Sequence, residues 1–202
     1  MAAIIVPVGF DNGPRYDPDA APDSGPEYYE VSERRNSAEL PFDAYEVWQL
    51  AHVDVQSHAA GEFSRDRLIE LAARTGRDAN GIVNRLVATG LLVEYEVGTP
   101  SAIKVLQSHQ LHPTGQGIGN TQEHPEIFRI GRNGEVLLEV VNEVYTFWTV
   151  SHGYPSIWDA VQDDAQAIPA GLPYQTAEEL GYLFAAAIPM IVASHMGVLE
   201  PI

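Results

Sequence analysis

The sequence predicts an α+β, helix-rich fold of two related units, each a β-hairpin followed by three helices, the second unit degenerate. Three observations predict it. A hairpin pattern near residue 28 leads into a series of capped segments with apolar faces, and a second hairpin pattern starts near residue 127. The helix after each hairpin carries a Trp followed four residues later by a His, Trp48 with His52 and Trp148 with His152, so the chain repeats itself.

Taken in order, residues 1–27 read as a flexible arm, because DNGPRYDPDAAPDSGPE is too rich in Pro, Gly and Asp to bury much apolar surface. The first module spans 28–107. YYEVSE, a polar turn around RRNS, and AELPF form its hairpin. Asp43 is placed to cap a helix whose stripe is Ala44, Val47, Trp48, Leu50 and Ala51. Ser64 opens a second helix with Leu68, Leu71 and Ala72 on one face, and Gly76 supplies its left-handed end. Asp78 or Asn80 opens a third, with Ile82, Val83, Leu86 and Val87 inward and Gly90 closing it. LLVEYEV and SAIKVLQ, joined through Gly98-Thr99-Pro100, then read as a pair of strands, a wing over 91–107. Helices, a short turn, a helix and a hairpin follow one another in the winged-helix order.

Residues 108–126, with LHPTGQGIGNTQEHPE, read as a glycine-rich connector. The second module, 127–202, begins with IFRIG and VLLEVV around Asn133-Gly134, a pair suited to a tight turn with positive φ at both positions. TAEE at Thr176 is a capping box corresponding to SRDR at Ser64, and the closing GVLEP corresponds to GLLVE. This copy has no wing after it. The expected architecture is tandem winged-helix-like units.

Composition narrows the function. The 202 residues include no Cys and carry a formal charge of −17, and residues 133–202 hold nine acidic side chains and no Lys or Arg. Disulfide staples and thiolate metal sites are excluded, and the cytoplasm is the expected location. Phosphate is repelled by such a surface, which disfavours DNA. Leu180–Leu199 lacks charged residues, yet Pro189 interrupts it and no flanking cation anchors it, so no membrane span is expected. The apolar C-terminal helices are instead a candidate interface for a homodimer or heteromer.

Candidate chemistry is sparse. His109, His112 and His124 stand near Glu123 and Glu126, but Pro113 and the glycines break the helical spacing that a His-x-x-His pair needs, so no metal is expected. Thr114–Asn120 is neither a G-x-G-x-x-G nor a Walker loop. No nucleophile elbow or carboxylate pair nominates a catalytic residue, and no cofactor is implied. Trp48 and Trp148 are expected to anchor cores, and His52 and His152 to meet helix-end carbonyls. A basic set of Arg65, Arg67, Arg74, Arg77, Arg85 and Lys104 marks the first module, where an exposed third helix would present Asn80, Asn84 and Arg85.

YYEVSERRNSAELPFDAYEVWQL, followed by SRDRLIELAARTG and IVNRLVATGLL, resembles the peptide-recognition elements of ribosomal peptide natural-product pathways, within the winged-helix superfamily. The resemblance covers about 28–95, with a second, fainter copy over 127–200. It implies that a leader peptide adds as a strand to the hairpin and packs on the third helix, with Arg34, Arg35, Arg77, Asn84 and Arg85 lining or flanking the groove. The expected function is a non-catalytic binding protein for a peptide or partner protein. The alternative is a winged-helix DNA-binding regulator whose acidic second half senses or dimerises.

Overall fold

The computed structural model describes residues 3–21, 23–34, 36–74, 76, 78–166, 174 and 176–202, and among them the fold is α+β, with eight α-helices and ten strands in four small sheets. The first half runs β1 (Ile4–Pro7), β2 (Phe10–Arg15), β3 (Tyr28–Glu33), β4 (Asn36–Leu40), α1 (Phe42–Leu50), α2 (Val55–Ala59), α3 (Arg65–Ala73), α4 (Ala79–Ala88) and β5 (Leu92–Tyr95). After α5 (Pro100–Ser108) the second half runs β6 (His109–Pro113), β7 (Gln116–Gly119), β8 (Ile127–Arg132), β9 (Glu135–Val141), α6 (Asn142–Val150), a 3-10 turn (Ser151–Gly153), α7 (Ile157–Ala165), α8 (Ala177–Ala193) and β10 (Gly197–Pro201). In each half the last strand returns to pair with the first, β5 on β1 and β10 on β6, and a three-stranded antiparallel sheet stands beside it, β2-β3-β4 or β7-β8-β9.

Local chemistry sets the ends of these elements. Ser64 caps α3 by accepting from the Arg67 amide, and Asp78, not Asn80, caps α4 by accepting from Gly81. Thr176 and Glu179 form a reciprocal capping box at α8. Asn133 (φ 54°) and Gly134 (φ 85°) make the tight β8–β9 turn that this pair favours. Phe42 begins α1 after Pro41, so Asp43 lies inside the helix and no side chain caps it. An additional short helix, α2, starts at Asp54, which adopts a left-handed conformation and accepts from Ser57.

Three sequence expectations are corrected. The arm of residues 1–27 contains β1 and β2: Ile4, Ile5 and Val6 are buried, Ile5 facing the core of the first half while Ile4, Val6 and Val8 face that of the second. A strand buried on both sides reads as an unbroken apolar run, and β5, its partner, lies almost ninety residues away. The wing over 91–107 is replaced by β5 and a helix, because Thr99 accepts from Ser101 as an N-cap and Pro100 takes the first helical position. The connector over 108–126 contains β6 and β7. Two of its glycines answer to packing: a Cβ would lie 2.7 Å from the Met196 sulfur at Gly115 and 2.1 Å from the Tyr145 hydroxyl at Gly117.

Trp48 and Trp148 occupy the seventh position of α1 and α6, and both are buried. Each indole N–H bonds to the ribbon beneath it, Trp48 to the Val8 carbonyl at 3.1 Å and Trp148 to the Met196 carbonyl at 2.6 Å. Each Trp also has a Tyr three residues earlier, Tyr45 or Tyr145, beside its ring. The apolar helix α8 is spent inside the chain, where Phe184, Ala185, Ile188 and Ile191 are buried and the helix packs on α2, α5 and α7. Among the described residues no helix is long and apolar enough to cross a membrane.

Candidate functional site

The sheet edge and helix face expected to bind a partner are formed by β4 and α4. β4 closes the order β2-β3-β4, so one side of it bears no strand among the described residues. Asn80, Asn84 and Arg85 are exposed on α4, but Asn84 already accepts from Arg65. Arg34 is placed elsewhere, at the β3–β4 turn with φ 50°, where its backbone amide donates to the Glu200 carboxylate on β10. Arg35 and Arg77 lie outside the described residues. Three of the six basic side chains are ion-paired: Arg65 with Glu94, Arg67 with Asp54 and Glu70, and Arg74 with Glu70.

A cleft of about 280 Å³ opens where the halves meet, lined from the first half by Asp11, Gln49 and His52 and from the second by Thr114, Arg132 and His195, among others. The His52 and His195 rings stack across it, 5.0 Å between centroids and 13° between planes. The His52 Nδ1 lies 3.3 Å from the Trp48 carbonyl, which can only accept, so in the neutral ring Nδ1 carries the proton and Nε2 is bare. Burial first, and His195 second, push the His52 imidazole down to about 4. Burial and then the Arg132 guanidinium lower His195, against the opposing pull of Asp11. Asp11 is itself held by Tyr45 at 2.9 Å and Gln49 at 2.6 Å.

A second ionisable group lies across the same junction. Glu200 Oε2 stands 2.8 Å from His112 Nε2 but off the hydrogen-bond axis, so the contact is close and poorly directed. Glu33 Oε1 is buried without a hydrogen-bond partner, and burial together with the Glu200 charge raises its carboxyl above the usual range. The three histidines weighed as metal ligands diverge: His109 Nδ1 meets the Val105 carbonyl, His112 meets Glu200, and His124 is exposed near Glu126. Among the described residues no group of three His, Asp or Glu side chains is arranged to hold a metal.

Comparison of the chain with protein-family models, with curated proteins and with solved structures finds no match.

Of the cleft residues, the sequence singles out Trp48 as a core anchor, His52 as a helix-end imidazole and Thr114 as the start of a glycine loop, and assigns none of them to a site. One signal for the rest was present. VATG closes α4 and VASH closes α8, so His195 stands where the first half has Gly90.

Proposed function

We propose that the chain is a non-catalytic binding protein of tandem winged-helix-like units, in which an extended peptide or partner segment adds as a fourth strand along β4. The observation that carries this reading is the open side of β4. The β3–β4 turn closes on the Glu33–Asn36 pair, and the alternation of an antiparallel ladder then directs the backbone groups of Ser37 and Glu39 outward. An incoming strand satisfies those groups. Phe42, 52% exposed just beyond β4, offers its ring to an apolar side chain of the segment. Arg34 at the turn is proposed to favour an acidic segment, and Asn80, Asn84 and Arg85 on α4 are proposed to add selectivity.

A leader peptide of a natural-product pathway, recognised in the cytoplasm, is a partner of this kind. The DNA-regulator reading has less support, since the charge of −17 opposes phosphate and three of the module's arginines are ion-paired.

The test selects extended 16-residue segments from a displayed random library against the full chain and maps bound segments by amide exchange. Protection is expected at residues 36–40. Glu39→Pro removes one outward N–H and leaves the ladder to β3 in place, and it is expected to weaken binding about tenfold, the equivalent of about 1.4 kcal/mol. Segments that protect another surface, or that bind the variant as tightly, overturn the proposal.

A further inference from the structure

The repeat supplies an internal standard for the cleft between the halves. Val8 donates to the Leu91 carbonyl at 3.0 Å, and Thr114 donates to the Met196 carbonyl at 3.2 Å, so Leu91 and Met196 are equivalent, as are the residues before them. Those residues are Gly90, with φ 84°, and His195, with φ 56°. Both end a helix in the left-handed region, where glycine is at ease and a side chain is strained. The second half thus carries a strained residue where its twin shows that glycine serves, and the strained ring reaches the other half. Strain of this kind is held in place by its surroundings. Here the Thr114 hydroxyl (2.8 Å) and the Arg132 guanidinium (3.2 Å) both donate to the His195 carbonyl.

The contact is specific to one side of the repeat. His52 stacks on His195, whereas its counterpart His152 is exposed. The cleft gives solvent a route to the rings, so a proton can arrive without unfolding.

We propose that the His52–His195 stack is a proton-operated latch: neutral rings hold the end of α1 against the end of α8, and protonation parts them.

The charged surroundings set the sense of the switch. From α2, His58 faces His52, and from β8, Arg132 faces His195; both oppose a charged imidazole. From β2, Asp11 favours one, but it is engaged with Tyr45 and Gln49 of α1. Behind the cleft Phe10 lies against His112, which faces Glu200 of β10, with Glu33 beyond. A second proton on the stack would set two cations ring to ring beside Arg132. Two bonds report whether the halves are joined, Gly9 N–H to the Leu199 carbonyl at 2.8 Å and Arg34 N–H to Glu200.

The latch is tested on the full chain by amide exchange, corrected for intrinsic rates, with the histidine rings followed by NMR. Between pH 7 and pH 5 the Gly9 and Arg34 amides are expected to lose protection about tenfold. His195→Gly, which installs the residue of the first half and relieves the strain, is expected to remove that pH dependence and to move the His52 titration toward 6.5. His52→Phe keeps a ring in the stack but cannot be protonated, and is expected to keep both amides protected at pH 5. If both variants retain the parental pH profile, the latch is wrong and Glu33 or His58 carries the response. If His195→Gly only raises stability equally at every pH, His195 is a strained cap and nothing more.

Discussion

His58 offers a quantitative test of how this fold responds to acid. Its ring is fully buried on α2, stacked on Phe63 at 4.0 Å, with Nε2 3.0 Å from the Ala51 carbonyl and Nδ1 unpartnered. Burial pushes the imidazole down to about 4 from an ordinary 6.5, outweighing the opposing effects of the Ala51 carbonyl and Asp54. Above pH 6.5 the ring is neutral in folded and unfolded chains alike. As pH falls from about 6.5 to about 4, the unfolded chain takes up a proton that the folded chain refuses, so stability is lost across that window. The interval converts to an upper limit of about 3 kcal/mol at 1.36 kcal/mol per pH unit. Glu33 works in the opposite direction, because its raised carboxyl binds a proton more readily when folded. Comparing parent with variant cancels that contribution. His58→Phe should lose about 1 kcal/mol at pH 7, mainly from leaving the Ala51 carbonyl unpaired. Its urea-derived stability should then fall less steeply than the parent's between pH 6.5 and 4.5. Parallel curves would refute the assignment of this acid sensitivity to His58.

Other expectations follow from single contacts. Gly131→Ala would place a Cβ 1.8 Å from the backbone oxygen of Glu135 across the β8–β9 bulge, and backbone cannot step aside as a side-chain tip can. A loss of about 3 kcal/mol is expected in urea unfolding, with Gly153→Ala, in open space, as a control within about 0.5 kcal/mol; equal effects would contradict the packing argument. Thr176→Ala breaks the capping box of α8 and should cost about 1 kcal/mol, read from thermal melts, and no change would show that box to be idle. A mobility-shift titration at physiological salt should show no tight binding to mixed DNA fragments. Salt-dependent binding abolished by Arg85→Ala would instead favour the regulator reading.

Much of the secondary structure was legible because its signals are local. Ser64 and Thr176 cap helices through the next turn, Gly76 and Gly90 end them, and Asn133-Gly134 closes a hairpin within four residues. The wing was misread for the same kind of reason: apolar and β-branched residues in SAIKVLQ outweighed Thr99-Pro100, the start signal that the helix obeys. The connector differs from its sequence reading because glycine marks close packing as well as loops: Gly115 and Gly117 sit where a side chain would collide with its neighbours.

The sequence by itself determined the mixed class, the ends of α3 and α4, the start of α8, the acidic charge and the helices of Trp48 and Trp148, since each depends on composition or on neighbours a few residues apart. Tertiary structure alone decided that Ile4–Pro7 is a strand shared by both cores, because its partner, Leu92–Tyr95, lies far along the chain and period-two alternation vanishes when both faces are buried. It also decided the cleft. His52 and His195 stand 143 positions apart, and nothing within either segment states that closing β5 on β1 and β10 on β6 will bring their rings to 5.0 Å.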